Sequence, residues 1–375
     1  MEQTVLLVAG ARPNFMKIAP LYHAARKHPE IYCRIVHTGQ HYDYDMSQAF
    51  FEDLDLPAPH YFLHAGSGSH AGQTARIMVA FEEVCQAVKP ALVMVVGDVN
   101  STLACSIVAK KLDIPVAHVE AGLRSCDRTM PEEINRLVTD SISDYFFVTE
   151  PGALENLRRE GKDPQKILFS GHVMVDNLFQ QNEKLVGVAP RTFSTHKLKE
   201  ENPGYAFLTL HRPANVDDPG VFAGIVSALN RIAEERAILF PVHPRTRKKM
   251  EQFGLVLAEE IKLLPPLGFR EALFLWKDAS VVLTDSGGLQ EETTALGVPC
   301  VTIRSNTERP ITVEQGTNIL AGTDPKKIVE TYRQALKSGR GKNGCRPPNW
   351  DGRASERIWN YLLAELFSVR PAMAG

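Results

Sequence analysis

The sequence has little of what marks a membrane protein or a nucleic-acid-binding protein. None of its apolar runs reaches the roughly 18 residues that a membrane-spanning helix needs, and its formal charge of only −2 argues against the basic surplus of a nucleic-acid-binding protein. The N-terminal segment lacks a basic n-region and an A-x-A cleavage site, so it predicts a buried strand rather than a signal peptide. We therefore expect a cytoplasmic protein that captures anions locally, with no nucleic-acid or membrane partner.

Closely spaced cysteines are also absent. Disulfide frameworks and zinc clusters both need such grouping, and the chain contains no C-x-x-C pair. We expect every cysteine to be reduced and without a catalytic role, as is usual in the cytosol, and we expect no metal site. The six cysteines are Cys33, Cys85, Cys105, Cys126, Cys300 and Cys345.

The N-terminal half alternates short, uniformly apolar runs with helical patterns. Such runs indicate parallel strands that are buried on both faces of a sheet, which predicts a doubly wound α/β domain over residues 1–180. The predicted strands are Val5–Val8, Arg34–His37, Ala91–Val96, Val116–Glu120 and Tyr145–Val148, and the predicted helices are Phe15–Lys27, Ala71–Val88, Thr102–Lys111 and Glu132–Ser143.

The polar segment 181–204, which contains Pro190 and Pro203, is the predicted linker. The same α/β pattern then restarts, so we predict a second Rossmann-like domain over 205–350, an interdomain cleft, and a C-terminal helix and tail over 351–375 that pack back on the first domain. The predicted strands are Tyr205–Leu210, Ala237–Val242, Ser280–Thr284 and Cys300–Ile303, and the predicted helices are Pro219–Glu234, Gly288–Leu296 and Arg353–Phe367.

Polar clusters follow the strands of the first half, where ligands bind in such sheets. Gly10 and Arg12 follow the first strand, and Lys17 lies about one turn into the next helix, which suggests an anion pocket; alternatively, Arg12 is a surface turn residue. Asp98 and Glu120 end neighbouring strands, so their carboxylates can meet and perform acid–base work. Glu132 and Glu133 open a helix, where acids also act simply as caps.

The second half repeats this arrangement. His211 and Arg212 end one strand, and His243 ends another. Ser286, Gly287 and Gly288 form a tight turn into a helix whose amides can bind phosphate. Glu291 and Glu292 follow, where a carboxylate can accept hydrogen bonds from ribose hydroxyls, and Arg309 is a plausible phosphate cation. The segment after the first strand, at Gly10, is not G-x-G-x-x-G, and no convincing Walker lysine motif appears in the sequence; both observations disfavour a dinucleotide or P-loop site.

Eight segments resemble, in order, the non-hydrolysing UDP-N-acetylglucosamine 2-epimerase family. They lie within about residues 4–325 and read GARPNFMK, HTGQH, GDVNST, HVEAGLRS, MPEEINR, TLHRPAN, LTDSGGLQEE and NTERP. The resemblance implies the GT-B architecture, a homodimer, no cofactor and no metal. It also implies reversible C2 epimerisation of UDP-N-acetylglucosamine to UDP-N-acetylmannosamine, by UDP elimination and re-addition, for cell-surface polysaccharide synthesis.

The resemblance also assigns roles to individual residues. Asp98, Glu120, Glu132 and Arg136 match the family's catalytic set, and His211 matches a histidine near the diphosphate. Arg12 and Lys17 match residues that line the active cleft. Leu267 and Phe269 lie in the segment that would hold uracil, and the UDP-binding set is matched by Ser286, Gly287, Gly288, Glu292 and Arg309.

The chain departs from the best-known bacterial members at Asn14, at Gln40–Asp43 and after His211-Arg212, near the family's regulatory substrate site. The resemblance therefore does not by itself predict activation by substrate. These variations are similar to a branch that acts on UDP-2,3-diacetamido-2,3-dideoxyglucuronate, whose carboxylate would require an extra cation, from Arg128, Arg245 or Arg247. A hydrolysing epimerase, a GT-B glycosyltransferase and a non-catalytic nucleotide-sugar sensor are further alternatives.

Overall fold

The computed structural model describes residues 3–39, 51, 53–338 and 346–367. It divides into two compact units. The first unit is Met1–Phe179 with Pro348–Gly375, and the second unit is Gln180–Pro347. Gln40–Asp43, Cys345 and the side chain of Arg12 lie outside the described residues.

The first unit is a seven-stranded parallel sheet with the strand order β3-β2-β1-β4-β5-β6-β7. Its strands are β1 (Gln3–Ala9), β2 (Ile31–His37), β3 (Tyr61–Phe62), β4 (Leu92–Val96), β5 (Val116–Val119), β6 (Tyr145–Val148) and β7 (Ile167–Phe169). Its helices before the division are α1 (Arg12–Ala25), α2 (His70–Val88), α3 (Asn100–Lys111), α4 (Pro131–Ile142), α5 (Pro151–Arg159) and α6 (Val173–Val186), which runs into the second unit.

The second unit is a six-stranded parallel sheet with the order β10-β9-β8-β11-β12-β13. Its strands are β8 (Ala206–Thr209), β9 (Ile238–Pro241), β10 (Ile261–Leu264), β11 (Val281–Thr284), β12 (Cys300–Thr302) and β13 (Asn318–Leu320). Its helices are α7 (His196–Glu201), α8 (Pro213–Val216), α9 (Pro219–Ala233), α10 (Pro244–Phe253), α11 (Phe269–Trp276), α12 (Gly287–Leu296), α13 (Pro310–Glu314) and α14 (Pro325–Lys337), and α15 (Ala354–Phe367) follows in the first unit.

Alternation along β1 explains why the sheet of the first unit is covered on both faces. Val5 and Leu7 belong to one apolar cluster, whereas Leu6 and Val8 belong to the cluster on the opposite face. Successive strand side chains point to opposite faces, so an unbroken apolar run contributes side chains to both apolar clusters. The predicted α/β class with two doubly wound parallel sheets is confirmed.

The C-terminal helix α15 packs within the first unit. Trp359 is fully buried, and its Nε1–H donates to the carbonyl of Leu21 on α1 at 2.8 Å. The carboxylate of Asp176, on α6, accepts from the first amides of α15, those of Ala354 at 3.0 Å and Ser355 at 2.6 Å. This side chain therefore satisfies the free donors at the start of α15.

The segment predicted to be a linker, 181–204, contains more regular structure than expected. It holds the end of α6, a 3₁₀ turn at Pro190–Thr192, and α7. Gln181 and Leu185 are buried, so tertiary packing continues the helix where the polar composition predicts an open chain. In the described part of the chain, no helix is both long enough and apolar enough to cross a membrane.

Candidate functional site

In the first unit, Asp98 and Glu120 come just after two neighbouring strands. β4 pairs with β5 in parallel, and Val96 lies opposite Val119, so the two acids leave the same edge of the sheet. Glu120 has a φ of 73°, in the left-handed region that non-glycine residues rarely adopt. Such backbone strain is concentrated at functional sites, which is consistent with the predicted role of Glu120.

Glu120 forms an ion pair with Lys17 of α1, and both side chains are buried. Gly97, which precedes Asp98, makes room for this pair. A Cβ on Gly97 would lie 2.9 Å from Nζ of Lys17, and its φ of 69° is strained for any other residue. Position 97 therefore requires glycine, because a side chain there would displace the ion pair of Lys17 with Glu120.

Asp98 forms an ion pair with Arg136 of α4, and Arg136 also binds Glu133 at 2.7 Å. Burial would raise the pKa of Glu133, but hydrogen bonds from Ser125 and Arg136 outweigh it and lower the pKa. Glu133 is thus an ionised anchor for Arg136, whereas Glu132 is exposed on the first turn of α4. Of the two acids that open this helix, Glu132 has the side chain that is open to solvent.

At the start of α1, where an anion pocket is predicted, the loop amides and Lys17 already have partners within the protein. The amides of Gly10 and Ala11 donate to Oδ1 of Asn14, at 3.2 and 2.9 Å, so they cap the helix internally. Gly10 is required by packing, because a Cβ there would lie 2.1 Å from Oγ of Ser101. Lys17 is also already paired, with Glu120.

In the second unit, the buried carboxylate of Asp285 orients His211. It accepts from the backbone amides of His211 and Arg212, at 2.9 and 2.8 Å, and lies 3.1 Å from Nδ1 of His211. Burial would raise the pKa of Asp285, but these contacts lower it. Asp285 was not predicted from the sequence, although it stands directly before the glycine turn in LTDSGG.

The turn after β11 leads directly into α12. Ser286 is the N-cap but makes no side-chain capping bond, and among the described residues no acceptor is seen for the amides of Gly287 and Gly288. Arg212 lies beside this turn, since its Nη2 is 4.0 Å from the Cβ position of Gly287. Free amides and a guanidinium together favour an anion, and sequence reasoning had given Arg212 no role of its own.

Further along α12, the two adjacent acids have different surroundings. Oε1 of Glu291 pairs with Nε of Arg309 at 2.7 Å, so in this structure Arg309 contacts a carboxylate rather than standing apart as a phosphate cation. The side chain of Glu292 is half-buried; its burial, followed by the charge of Glu291, raises the pKa of Glu292 to about 8. Leu267 and Phe269, at the start of α11, are only partly buried.

Comparison with known proteins points to one family. The model of the UDP-N-acetylglucosamine 2-epimerase family matches residues 23–363. UDP-N-acetylglucosamine 2-epimerase of Methanocaldococcus jannaschii is 43% identical over 95% of this chain and 98% of its own. UDP-2,3-diacetamido-2,3-dideoxy-D-glucuronate 2-epimerase of Pseudomonas aeruginosa is 41% identical over 96% of this chain and 99% of its own.

A solved structure of the M. jannaschii enzyme, in complex with UDP-GlcNAc and UDP, superposes with a TM-score of 0.80 at 41% identity. The match covers 96% of this chain and 99% of that one. Sequence and fold therefore agree over nearly the whole length. This chain belongs to the UDP-N-acetylglucosamine 2-epimerase family.

Proposed function

We propose that the protein catalyses the reversible C2 epimerisation of UDP-N-acetylglucosamine to UDP-N-acetylmannosamine. The observation that carries this proposal is the pair of strand-end acids, Asp98 and Glu120, each held by a cation on a helix. Family membership supports the same reaction. A glycosyltransferase or a nucleotide-sugar sensor gives no reason to gather and orient such a set of acids.

The chemistry explains why acids and cations are both needed. The C2–H bond is not adjacent to a carbonyl, so removing the proton alone would leave an unstabilised carbanion. When a carboxylate takes the C2 proton and the C1–O bond breaks, the C–H electrons form a C1=C2 double bond and UDP leaves with the C–O pair. Protonation of C2 on the other face and re-addition of UDP to C1 complete the epimerisation.

We assign the proton transfers to Asp98, Glu120 and Glu132, with Arg136 orienting Asp98. An ion pair favours the charged form of a carboxylate, so a paired strand-end acid is ready to act as a base. In the second unit, His211, oriented by Asp285, and the turn at Gly287 and Gly288 would stabilise the departing diphosphate, as would Arg12.

The substrate with a carboxylated sugar is the second candidate, because the P. aeruginosa relative is named for it. Of the three arginines predicted to be available for that carboxylate, Arg245 already binds Asp217, with Nε 3.2 Å from Oδ1. Arg128 and Arg247 are exposed. Because Arg245 is paired, Arg128 and Arg247 are the better candidates to bind that carboxylate.

The test is incubation with each UDP-sugar in deuterated water, followed by NMR. We expect deuterium at C2 and a mixture of gluco and manno UDP-sugars from UDP-N-acetylglucosamine. Free N-acetylmannosamine with UDP would instead indicate hydrolysis. Exchange only with UDP-2,3-diacetamido-2,3-dideoxyglucuronate would establish the second substrate, and no exchange with either would contradict epimerisation.

We also propose that the enzyme is a cytoplasmic homodimer that supplies polysaccharide synthesis. The resemblance of its motifs to the non-hydrolysing family supports all three statements. Light scattering on the purified protein should give twice the chain mass of 41.6 kDa, and a monomer would contradict the dimer.

Gly288→Ala should separate folding from nucleotide binding. A Cβ on Gly288 meets no atom within 4 Å, and alanine in a helix is favoured over glycine by about 1 kcal/mol, so thermal stability should be kept or slightly raised. A phosphate that approaches the turn closely would meet the new methyl group. We expect UDP affinity, measured by calorimetry, to fall by at least about tenfold, a loss of about 1.4 kcal/mol. Unchanged affinity would place the phosphate elsewhere.

Glu292 should couple nucleotide binding to proton release. With a pKa of about 8 in the free protein, it is mostly protonated at neutral pH, whereas ribose hydroxyls that donate to it would stabilise the ionised form. Binding should therefore release nearly one proton, and affinity for UDP-N-acetylglucosamine should rise with pH until Glu292 is already ionised. Calorimetry in two buffers of different ionisation enthalpy measures the proton count, which Glu292→Gln should abolish. A wild type that releases no proton would contradict the ribose contact.

A further inference from the structure

A buried pair, His118 and Asp140, lies behind the acids of the first unit. His118 is on β5 and Asp140 on α4, and both side chains are fully buried. Nδ1 of His118 is 2.6 Å from Oδ1 of Asp140, while Nε2 is 2.9 Å from the carbonyl oxygen of Gly97. Arg124 completes the cluster with a contact of 2.8 Å to the other oxygen of Asp140.

The hydrogen-bond partners fix which nitrogen of His118 donates to Gly97. A carbonyl oxygen only accepts, so Nε2 must carry a proton and donate it to the oxygen of Gly97. Nδ1 faces the carboxylate of Asp140; burial would raise the pKa of Asp140, but its interactions with His118 and Arg124 lower it. The ring is therefore held at both nitrogens, in two opposite directions.

The two ends of the pair reach the segments that carry the acids. Gly97, the acceptor of Nε2–H, immediately precedes Asp98. Oδ2 of Asp140 accepts from the amide of Gly122 at 3.0 Å, two residues after Glu120. Asp140 also shares one face of α4 with Arg136, four residues earlier, and Arg136 holds the carboxylate of Asp98.

The turn at Gly97 needs such a restraint. Its φ of 69° is left-handed, and the rotation of the Gly97–Asp98 peptide sets the direction in which Asp98 leaves the strand. The hydrogen bond that His118 donates to the Gly97 carbonyl oxygen restrains the rotation of that peptide. His118 is fully buried, so this bond is shielded from water.

We propose that His118, held by Asp140, is a positioning residue that sets the orientation of the Asp98 carboxylate through the Gly97 carbonyl. The inference rests on the proposed function, in which Asp98 transfers the C2 proton. His118 does not touch the substrate; it keeps Asp98 in the geometry that proton transfer requires.

Two substitutions separate this role from simple packing. The amide of glutamine can occupy the position of Nε2, so His118→Gln keeps a donor for Gly97 and loses the bond to Asp140. The amide of asparagine can occupy the position of Nδ1, so His118→Asn keeps the donor for Asp140 and loses the bond to Gly97. Both variants remove the same buried ring.

We expect His118→Asn to lower kcat for C2 exchange by roughly 10²-fold, the scale of an ångström misplacement of a reacting group. KM and UDP affinity should hardly change. His118→Gln should keep most of the wild-type kcat, although its melting temperature falls about as much as that of the asparagine variant. Equal losses of kcat in both variants would overturn the inference and leave His118 a packing residue.

Histidine-labelled ¹⁵N NMR on the wild type is a second test that does not need either variant to fold. The His118 ring should carry a slowly exchanging proton on Nε2. A ring without a proton on Nε2 cannot donate to Gly97 and would also overturn the inference. If the wild type fails to exchange the C2 hydrogen of either sugar, the proposed function is wrong. If the wild type exchanges it but His118→Gln loses as much kcat as His118→Asn, only the role of His118 is wrong.

Discussion

Asp98→Asn should strongly slow exchange of the C2 hydrogen while leaving UDP binding intact. Asparagine keeps the size of the side chain and can still accept a hydrogen bond from Arg136, the partner of Asp98, but it cannot take a proton. Positioned general bases contribute about 10²–10⁴-fold to rate, so we expect turnover to fall by that amount. Deuterium incorporation followed by NMR measures the loss, and calorimetry with UDP measures binding.

The matched control is Asp351→Asn. Asp351 is also an aspartate paired with an arginine, Arg357, and is likewise partly exposed, but it lies just before α15 and is absent from the proposed catalytic set. Its replacement should leave turnover unchanged. If Asp98→Asn retained wild-type exchange, the assignment of proton transfer to Asp98 would be wrong. The family membership and the proposed nucleotide site would still stand.

How far the fold follows from sequence can be judged from individual elements. Tyr145–Val148 was predicted with the observed bounds, because four consecutive apolar residues flanked by polar ones permit few alternatives. Tyr61–Phe62 was missed, since two residues carry no periodicity. Pro244–Phe253 was also missed, because its sequence PRTRKKMEQF is too polar to show an apolar stripe. Long buried elements can be predicted from the sequence, whereas the formation of short or solvent-exposed elements depends on tertiary packing.

In the candidate site, too, some features could be predicted from the sequence and others depend on tertiary packing. The common edge for Asp98 and Glu120 was predictable, because strands in consecutive βα units are commonly neighbours and parallel. The ion pair of Glu120 with Lys17 was not, since it depends on a left-handed residue and on the side-chain direction of Lys17. His118 was read simply as part of an apolar strand. A histidine among PVAHVEAG was nevertheless a signal, because a fully buried imidazole requires hydrogen-bond partners.

Lys17→Met should destabilise the first unit strongly. The substitution removes the cation beside Glu120, and both side chains are almost completely buried, so a carboxylate would remain in the interior without its charge partner. Breaking a buried ion pair from one side costs about 3–5 kcal/mol. Urea unfolding should show this loss as a lower midpoint with little change in slope.

Two further variants test whether the loss of stability comes from the buried, unpaired charge of Glu120. Lys17→Met combined with Glu120→Gln removes both charges and should recover most of the stability, because replacing a whole buried pair is often nearly neutral. Lys110→Met breaks the more exposed pair with Asp144 and should cost no more than about 1 kcal/mol. If the double variant were as unstable as Lys17→Met alone, lost packing of the lysine stem would explain the effect.

The pH dependence of Lys17→Met follows from the same argument. Without its cation, buried Glu120 should bind a proton more readily in the folded protein than in the unfolded chain, so the stability of the variant should rise as pH falls. In the wild type the pair favours the ionised carboxylate, and acid removes that contribution instead. The difference in unfolding free energy between the two proteins should therefore narrow as the pH falls. A difference independent of pH would mean that Glu120 stays ionised, with water or another cation replacing Lys17.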